Sequence, residues 1–345
     1  MKISSISTLA LNNGLRSTTS SLQDTLVRLQ EEVVTGRFAD TGLELGARSA
    51  NLKSLRNDLA RLDQFTISQS RTGILLEGTQ LALGQLGTIG EDFVGNLVPG
   101  VGDSLQRRLV RDAAENALDS AILQLNNQVD GAFIFGGENV DQPAMEDYEG
   151  SALQASIEAA FLARFGFAIS DPATSGLDAT QIEDFLSNDF EPLFASTSWG
   201  GLSNASDNAV TNRIAEGTIV QTGVTANDDT IRDFFMGTIA AYEFYGSELG
   251  GDALGVVGNF SLEKTATAIN GISQLRGEVG LTQARIERTR DQTEAQILLV
   301  EGFSAELEGV DVYEKSAELN NVITQIEISY SITSRVQQLS IMRFL

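Results

Sequence analysis

The chain has 345 residues, 42% of them hydrophobic, with 23 basic and 47 acidic side chains and a formal charge of −24. That length and apolar content suffice for two or three packed domains and argue against disorder throughout. The absence of histidine and cysteine removes disulfides, Cys/His zinc sites, thiol nucleophiles and the commonest general base, while the negative charge repels nucleic acid and anionic membranes.

The N-terminal string Met1-Lys2-Ile3-Ser4-Ser5-Ile6 lacks the apolar region and cleavage site of a removable signal, so export, if it occurs, is expected to proceed without cleavage. No apolar run approaches the roughly 20 residues of a membrane span, so no membrane insertion is expected. Leu15, Leu22, Leu26, Leu29 and Val33 follow steps of seven, four, three and four, and Val312, Leu319, Ile323, Ile326 and Tyr330 repeat the same succession at the other end. Each set predicts a long helix with a narrow apolar seam, which cannot bury itself and needs a partner helix. The simplest partner for each end is the other end.

Thr35-Gly36-Arg37 and Thr41-Gly42 break the first helix. Leu52, Leu55, Leu59 and Leu62, then Leu81, Leu86, Ile89 and Phe93, predict a second. Val98-Pro99-Gly100-Val101-Gly102 ends it, with Asp103 placed to cap a third. That third helix carries Leu105, Leu109, Val110, Ala113, Ala117, Leu118, Ile122 and Leu125. From Gly131 to about Phe260 the pattern changes: this stretch holds three of the four prolines and 16 of the 23 aromatic residues. It also carries most of the negative charge, with 21 acidic residues from Asp130 to Phe260 against Arg164, Arg213 and Arg232. Residues 132–135 and 217–220 read as strands, 154–161 and 231–244 as helices. After Leu262 a helical pattern returns with Ile269, Ile272, Leu275, Val279 and Ile286, breaks at Gly309 and resumes to the end. Glu294, Glu301, Glu306 and Glu308 read as a solvated face.

The expected fold is α+β overall: a long antiparallel helical coiled-coil or bundle stalk built from both termini, with an inserted mixed α+β domain. The expected layers are 1–36 with 310–345, 37–130 with 261–309, and an acidic outer domain over 131–260. Candidate chemistry has simpler structural explanations. Gly100-x-Gly102 lacks the strand, third glycine and lysine of a phosphate loop and reads as a helix-start turn. Asp228-Asp229, with Asp233, reads as an acidic helix N-terminus before a divalent-ion site. Arg107, Arg108 and Arg111 are expected to pair with carboxylates. Asn204-Ala205-Ser206 and Asn259-Phe260-Ser261 fit the glycosylation triplet, which is common by chance. No Ser/Lys or carboxylate pair has a recognisable catalytic setting, so no catalytic residue, cofactor or metal is expected. The expected assembly interface is Leu22, Leu26, Leu29, Val33, Leu319, Ile323, Ile326 and Leu339.

Three strings carry a resemblance. Leu26-Val27-Arg28-Leu29-Gln30-Glu31-Glu32-Val33-Val34-Thr35-Gly36-Arg37 resembles the end of the first helix in bacterial flagellin-like axial proteins. Phe133-Ile134-Phe135-Gly136-Gly137-Glu138-Asn139-Val140-Asp141-Gln142-Pro143 and Val336-Gln337-Gln338-Leu339-Ser340-Ile341-Met342-Arg343-Phe344-Leu345 are similar to the hook-associated, junction-forming branch of that family. The resemblance implies a non-enzymatic extracellular subunit of the flagellum, exported through the flagellar secretion channel and joining hook to filament. It implies as partners copies of the chain in a ring or helical wall, a neighbouring hook-associated protein, flagellin, and an export chaperone that guards terminal helices before assembly. Open alternatives are the filament flagellin itself, a non-flagellar coiled-coil scaffold or adhesin, and an enzyme with its site in the middle domain.

Overall fold

The computed structural model describes residues 8–97, 104–195 and 199–341, the side chains of 8–12 and 336–341 excepted. The Pro99-Gly100 break, Gly100-x-Gly102 and the capping role of Asp103 lie outside the described residues. In chain order the helices are α1 (Thr8–Thr35), α2 (Thr41–Leu45), α3 (Ser49–Asn96), α4 (Ser104–Leu125), α5 (Ala152–Phe165), α6 (Ala179–Phe185), α7 (Asp229–Tyr245), α8 (Gly251–Glu308) and α9 (Val312–Ile341). Two antiparallel ribbons complete the set: β1 (Gln128–Val129) with β2 (Ala132–Phe133), and β3 (Thr211–Ala215) with β4 (Thr218–Gln221).

Among the described residues the fold is mostly helical, with two small two-stranded ribbons. Many aromatic residues of the middle region fill the interior between helices. Within 132–135 only Ala132 and Phe133 pair as a strand, around the turn Asp130-Gly131. Ile134 N–H then bonds to the Asn127 carbonyl at 3.2 Å, and the Phe135 carbonyl accepts from Ala226 N–H at 2.8 Å.

The chain forms two compact units, one of Met1–Gln64 with Glu294–Leu345 and one of Phe65–Thr293. These do not follow the compositional breaks at 131 and 260. The reason is a continuous core in the second unit. Leu83 and Leu86 of α3, Ala114, Ala121 and Leu125 of α4, and Phe234, Phe235 and Phe244 of α7 are all buried in one cluster. On α4 the buried face runs Val110, Ala114, Ala117, Leu118, Ala121, Ile122 and Leu125, the spacing of one helical stripe. Leu105 and Leu109, expected on this face, are exposed because they lie about 100° or more around the helix from Val110. Leu81 of α3 is exposed for the same reason of phase.

Rings tie α5, α6 and α7 together. Phe161 meets Phe185 at 5.3 Å between centroids and Phe244 at 5.9 Å, and Trp199 meets Phe235 edge-on at 5.3 Å. Burial of each such side chain contributes about 2–3 kcal/mol before entropy is counted. Against α8, helix α7 approaches so closely that a Cβ on Gly237 would stand 2.5 Å from Thr265 Oγ1 and 2.8 Å from the Ser261 carbonyl. Backbone on the far side cannot yield as a flexible side chain would. We expect Gly237→Ala to destabilise the second unit by about 1–3 kcal/mol in urea unfolding; an unchanged midpoint would refute this close approach.

Candidate assembly interface

In the first unit α1 and α9 run antiparallel. Thr19 Oγ1 lies 3.2 Å from Ser329 Oγ, Gln23 Nε2 donates to Tyr330 Oη at 2.9 Å, and Glu32 stands 3.6 Å from Lys315 Nζ. On α1 the inward stripe is as the spacing expects: Leu15, Leu22, Leu26 and Val33 are half-buried and Leu29 is buried. On α9 the stripe differs. Leu319, Val322, Ile326 and Thr333 are half-buried and Ser329 is buried, whereas Val312, Ile323 and Tyr330 are exposed. The seam alternates three and four residues (319, 322, 326, 329, 333), and Ile323 and Tyr330 stand one residue further round the helix. Leu339 lies on α9, with its side chain outside the described residues.

The outer faces of both helices therefore carry apolar residues at heptad spacing. On α1, Val27 is 62% and Val34 85% exposed; on α9, Ile323 and Tyr330 are 38% and 53% exposed. The inner face explains why the pair forms.

Where the helices join, the apolar seam gives way to buried charge. Glu308, read from sequence as part of a solvated face, is corrected: its side chain is only 5% exposed. Its Oε1 accepts from Arg56 Nε at 3.0 Å and Nη2 at 2.7 Å, and its Oε2 from Arg37 Nη1 at 3.2 Å. The spacing of α8 could not show this, because the arginines come from residues more than 250 positions away. The backbone fixes the same point. Phe38 N–H bonds to the Glu308 carbonyl at 2.9 Å, and Val310 N–H to the Gly36 carbonyl at 3.0 Å. Gly36, at φ +68°, makes the Thr-Gly-Arg turn in a region L-residues avoid. Glu32 is fully buried and accepts from Ala39 N–H at 3.4 Å. Burial works against the charge of Lys315, yet the hydrogen bond and charge of Glu318 and the charge of Glu32 hold its ammonium above the usual lysine range. Its contribution to stability is therefore full at neutral pH and is lost only as pH rises through that elevated value. Asp311 caps α9 by accepting from Tyr313 and Glu314 N–H at 2.9 and 3.2 Å.

The other candidate residues serve the fold. Asp228 caps α7 through Thr230 N–H at 2.9 Å, Asp229 pairs with Arg232 at 3.4 Å, and Asp233 lies 3.7 Å from Lys264. Arg111 lies over the Tyr242 ring at 5.0 Å and Arg107 reaches the Ser247 carbonyl at 3.5 Å, contacts with α7 and the turn after it. Asn204 donates to Glu146 at 2.7 Å, and Asn259 lies within α8. Among the described residues no group of three or more acidic side chains is arranged to hold a metal, and no helix is long and apolar enough to cross a membrane.

Residues 6–140 match the model of the bacterial flagellin N-terminal helical region, and residues 262–345 that of the flagellin C-terminal helical region. The chain belongs to the flagellin family. It is thus a structural subunit of the bacterial flagellum, of a family that self-assembles into extracellular flagellar polymers. A solved structure from Vibrio parahaemolyticus, described as a candidate flagellar hook-associated protein, is 12% identical with a TM-score of 0.51, and the match covers 76% of this chain and 97% of that one. At that identity the likeness shows the fold alone. A comparison with curated proteins gave no match.

In this flagellin-family subunit the matched ends are the helices that form the seam and the charged junction. The Glu308 carboxylate is buried, while Arg37 and Arg56 are 64% and 57% exposed. Removing the acid frees two cations that solvent accommodates; removing both cations strands a buried charge. We expect Glu308→Gln to cost about 1–2 kcal/mol and Arg37→Ala with Arg56→Ala about 3 kcal/mol or more in chemical denaturation. Equal costs would contradict the asymmetry of burial. We also expect Val34→Asp with Ile323→Asp to leave the circular-dichroism spectrum unchanged while abolishing incorporation into flagella, scored by immunogold labelling.

Proposed function

We propose that this subunit joins the hook to the filament. The reading is carried by the string Phe133–Pro143, which resembles the hook-associated branch of the family and forms a turn that demands its residues. Phe133 N–H bonds to the Val140 carbonyl at 3.0 Å, and the Gly136 carbonyl accepts from Ser206 N–H at 3.0 Å. A Cβ on Gly136 would run into the Asn139 carbonyl oxygen. One on Gly137, at φ +62°, would stand 2.6 Å from the Ser206 carbonyl oxygen and 2.7 Å from that of Asn208. The two glycines after Phe-x-Phe are therefore part of how the middle of this chain is built. The hook-associated description of the Vibrio parahaemolyticus structure supports the same reading.

In this proposal copies of the subunit pack side by side in a ring or helical wall. The inward seam, which includes Leu22, Leu26, Leu29, Val33, Leu319 and Ile326, holds each helical pair together. Ile323 and the outer heptad residues meet the next copy, with Leu339 on the same terminal helix. A screw rotation between identical head-to-tail contacts gives such open or ring assemblies. Its neighbours are another hook-associated protein on one side and flagellin on the other, and it reaches them by export without signal cleavage, chaperoned beforehand.

Deleting the gene tests the assignment by electron microscopy of cells and assay of flagellin in the medium. Hooks without filaments, with flagellin lost to the medium, are expected. Intact hooks still bearing filaments would refute the junction role, and growth of long filaments from purified subunit on added seeds would identify a filament flagellin instead.

A further inference from the structure

A small cleft of about 60 Å³ opens in the second unit between α3, the β1–β2 ribbon and the segment after β4, lined by Leu75, Phe133, Ile134, Val140, Val210 and Gly223 among others. Every residue that lines it is buried or half-buried. Both hydroxyls in the lining are already engaged. Thr79 Oγ1 donates to the Leu75 carbonyl at 2.9 Å, while Thr222 Oγ1 donates to the Val210 carbonyl at 3.1 Å and accepts from Asn212 Nδ2 at 2.9 Å. The cleft therefore offers no polar side chain to a ligand, and an apolar hollow gains nothing from water. Its size and lining suit the branched end of one aliphatic side chain.

The rim of this cleft is acidic. Glu138 and Asp141 stand exposed on either side of Val140 in the turn after β2, and Arg71 of α3 is already paired with Asp130 at 2.7 Å. Arg213 of β3 is held two helical turns from Leu75, where its carbonyl accepts from Ser68 Oγ at 2.8 Å. A matching knob occurs elsewhere in the same unit. Leu281 of α8 is 72% exposed, and Ala284, Arg285 and Arg288 share its face at the third, fourth and seventh positions after it. Arg285 and Arg288 are exposed and in no ion pair among the described residues. Glu278, the acid at the margin of that face, is engaged by Gln274 Nε2 at 3.2 Å.

We propose that Leu281 of one copy inserts into this cleft of the next, with Arg285 and Arg288 facing Glu138 and Asp141. The occupant is a second copy because the family self-assembles and because the charges around the knob are opposite in sign to those around the cleft. Knob and cleft are different patches of one chain, so the contact is head-to-tail and repeats from copy to copy instead of closing on a pair. The buried leucine supplies the affinity. The rim charges stay in solvent, contribute little energy and set the orientation. The inference rests on the side-by-side packing of copies proposed above, not on the assignment to hook and filament.

The chain has no cysteine, so engineered cysteines report the contact without background. Flagella from cells carrying Val140→Cys with Leu281→Cys, oxidised and run on a non-reducing gel, are expected to show dimers and higher species of this subunit that neither single variant forms. Gly223→Ala tests the hollow itself. The added Cβ would stand 3.8 Å from both the Ile134 carbonyl oxygen and Val210 N, ordinary contacts, so the variant keeps its urea midpoint while lowering the cross-linked yield about tenfold. Reversing the rim (Glu138→Lys with Asp141→Lys) or the knob face (Arg285→Glu with Arg288→Glu) is expected to lower incorporation into flagella about tenfold, and combining the two reversals restores it. Flagella that contain the subunit but yield no cross-linked species, a yield unchanged by Gly223→Ala, or reversals that fail to restore one another would each overturn the proposal. Cross-linking by Leu281→Cys alone would show α8 meeting α8 and overturn the head-to-tail contact. Gene deletion reports on the assignment to hook and filament separately, so either inference can fail without the other.

Discussion

The first unit depends on one pairing, that of α1 with α9, the two ends of the chain. Neither helix has an apolar stripe wide enough to bury itself, so each stabilises the other through a seam of leucine, valine and isoleucine interrupted by Thr19, Ser329 and Thr333. Such a seam holds the pair without making it a sealed core. Small hydroxyl residues let the helices approach while contributing little burial, and apolar residues at heptad spacing remain outside. A structural subunit needs that combination, because surface spent on internal packing is no longer available to neighbours in a polymer.

The junction at Gly36 and Gly309 solves a different problem. A chain reversing from α1 into α2, and from α8 into α9, leaves carbonyl and amide groups at helix ends without partners. Here the two breaks satisfy each other: Phe38 N–H takes the Glu308 carbonyl and Val310 N–H takes the Gly36 carbonyl. Glu308 then adds a carboxylate shared by two arginines from separate elements. Buried charge of this kind is weak evidence for added stability, but it is demanding in geometry. It therefore specifies which breaks meet, where an apolar contact would tolerate a shift of register.

The second unit follows ordinary core physics. Its acidic residues stay largely at the surface, and its phenylalanines interlock between helices at centroid distances of about 5–6 Å, the range in which edge-on rings add to burial. The close contact at Gly237 and the turn at Gly136-Gly137 are places where backbone approaches backbone and any side chain intrudes. Glu243 of α7 is half-buried and accepts from Tyr148 Oη and Gln154 Nε2.

Much of this was legible in the residues. Seven-, four- and three-residue steps gave both terminal helices, glycine marked their breaks, and the Phe-x-Phe-Gly-Gly string marked a turn, because local spacing and backbone freedom are properties of short segments. On α1 the half-buried and buried leucines follow the expected spacing, while Val27 and Val34 stand on the other side of the helix. On α9 apolar residues occur on several sides, so spacing alone selected Ile323 and Tyr330 where packing selects Val322 and Ser329. The aromatic wealth of the middle region was visible, but whether rings line sheets or helices depends on which segments meet. Glu308 was invisible as a buried group, since its partners lie far off in sequence. The sequence by itself determined the helices, their breaks and the family of the chain, all matters of local pattern. Only the tertiary structure decided which face of each helix is inward, which carboxylates lose their water, and where a cavity forms, because burial and charge pairing depend on residues brought together from distant parts of the chain.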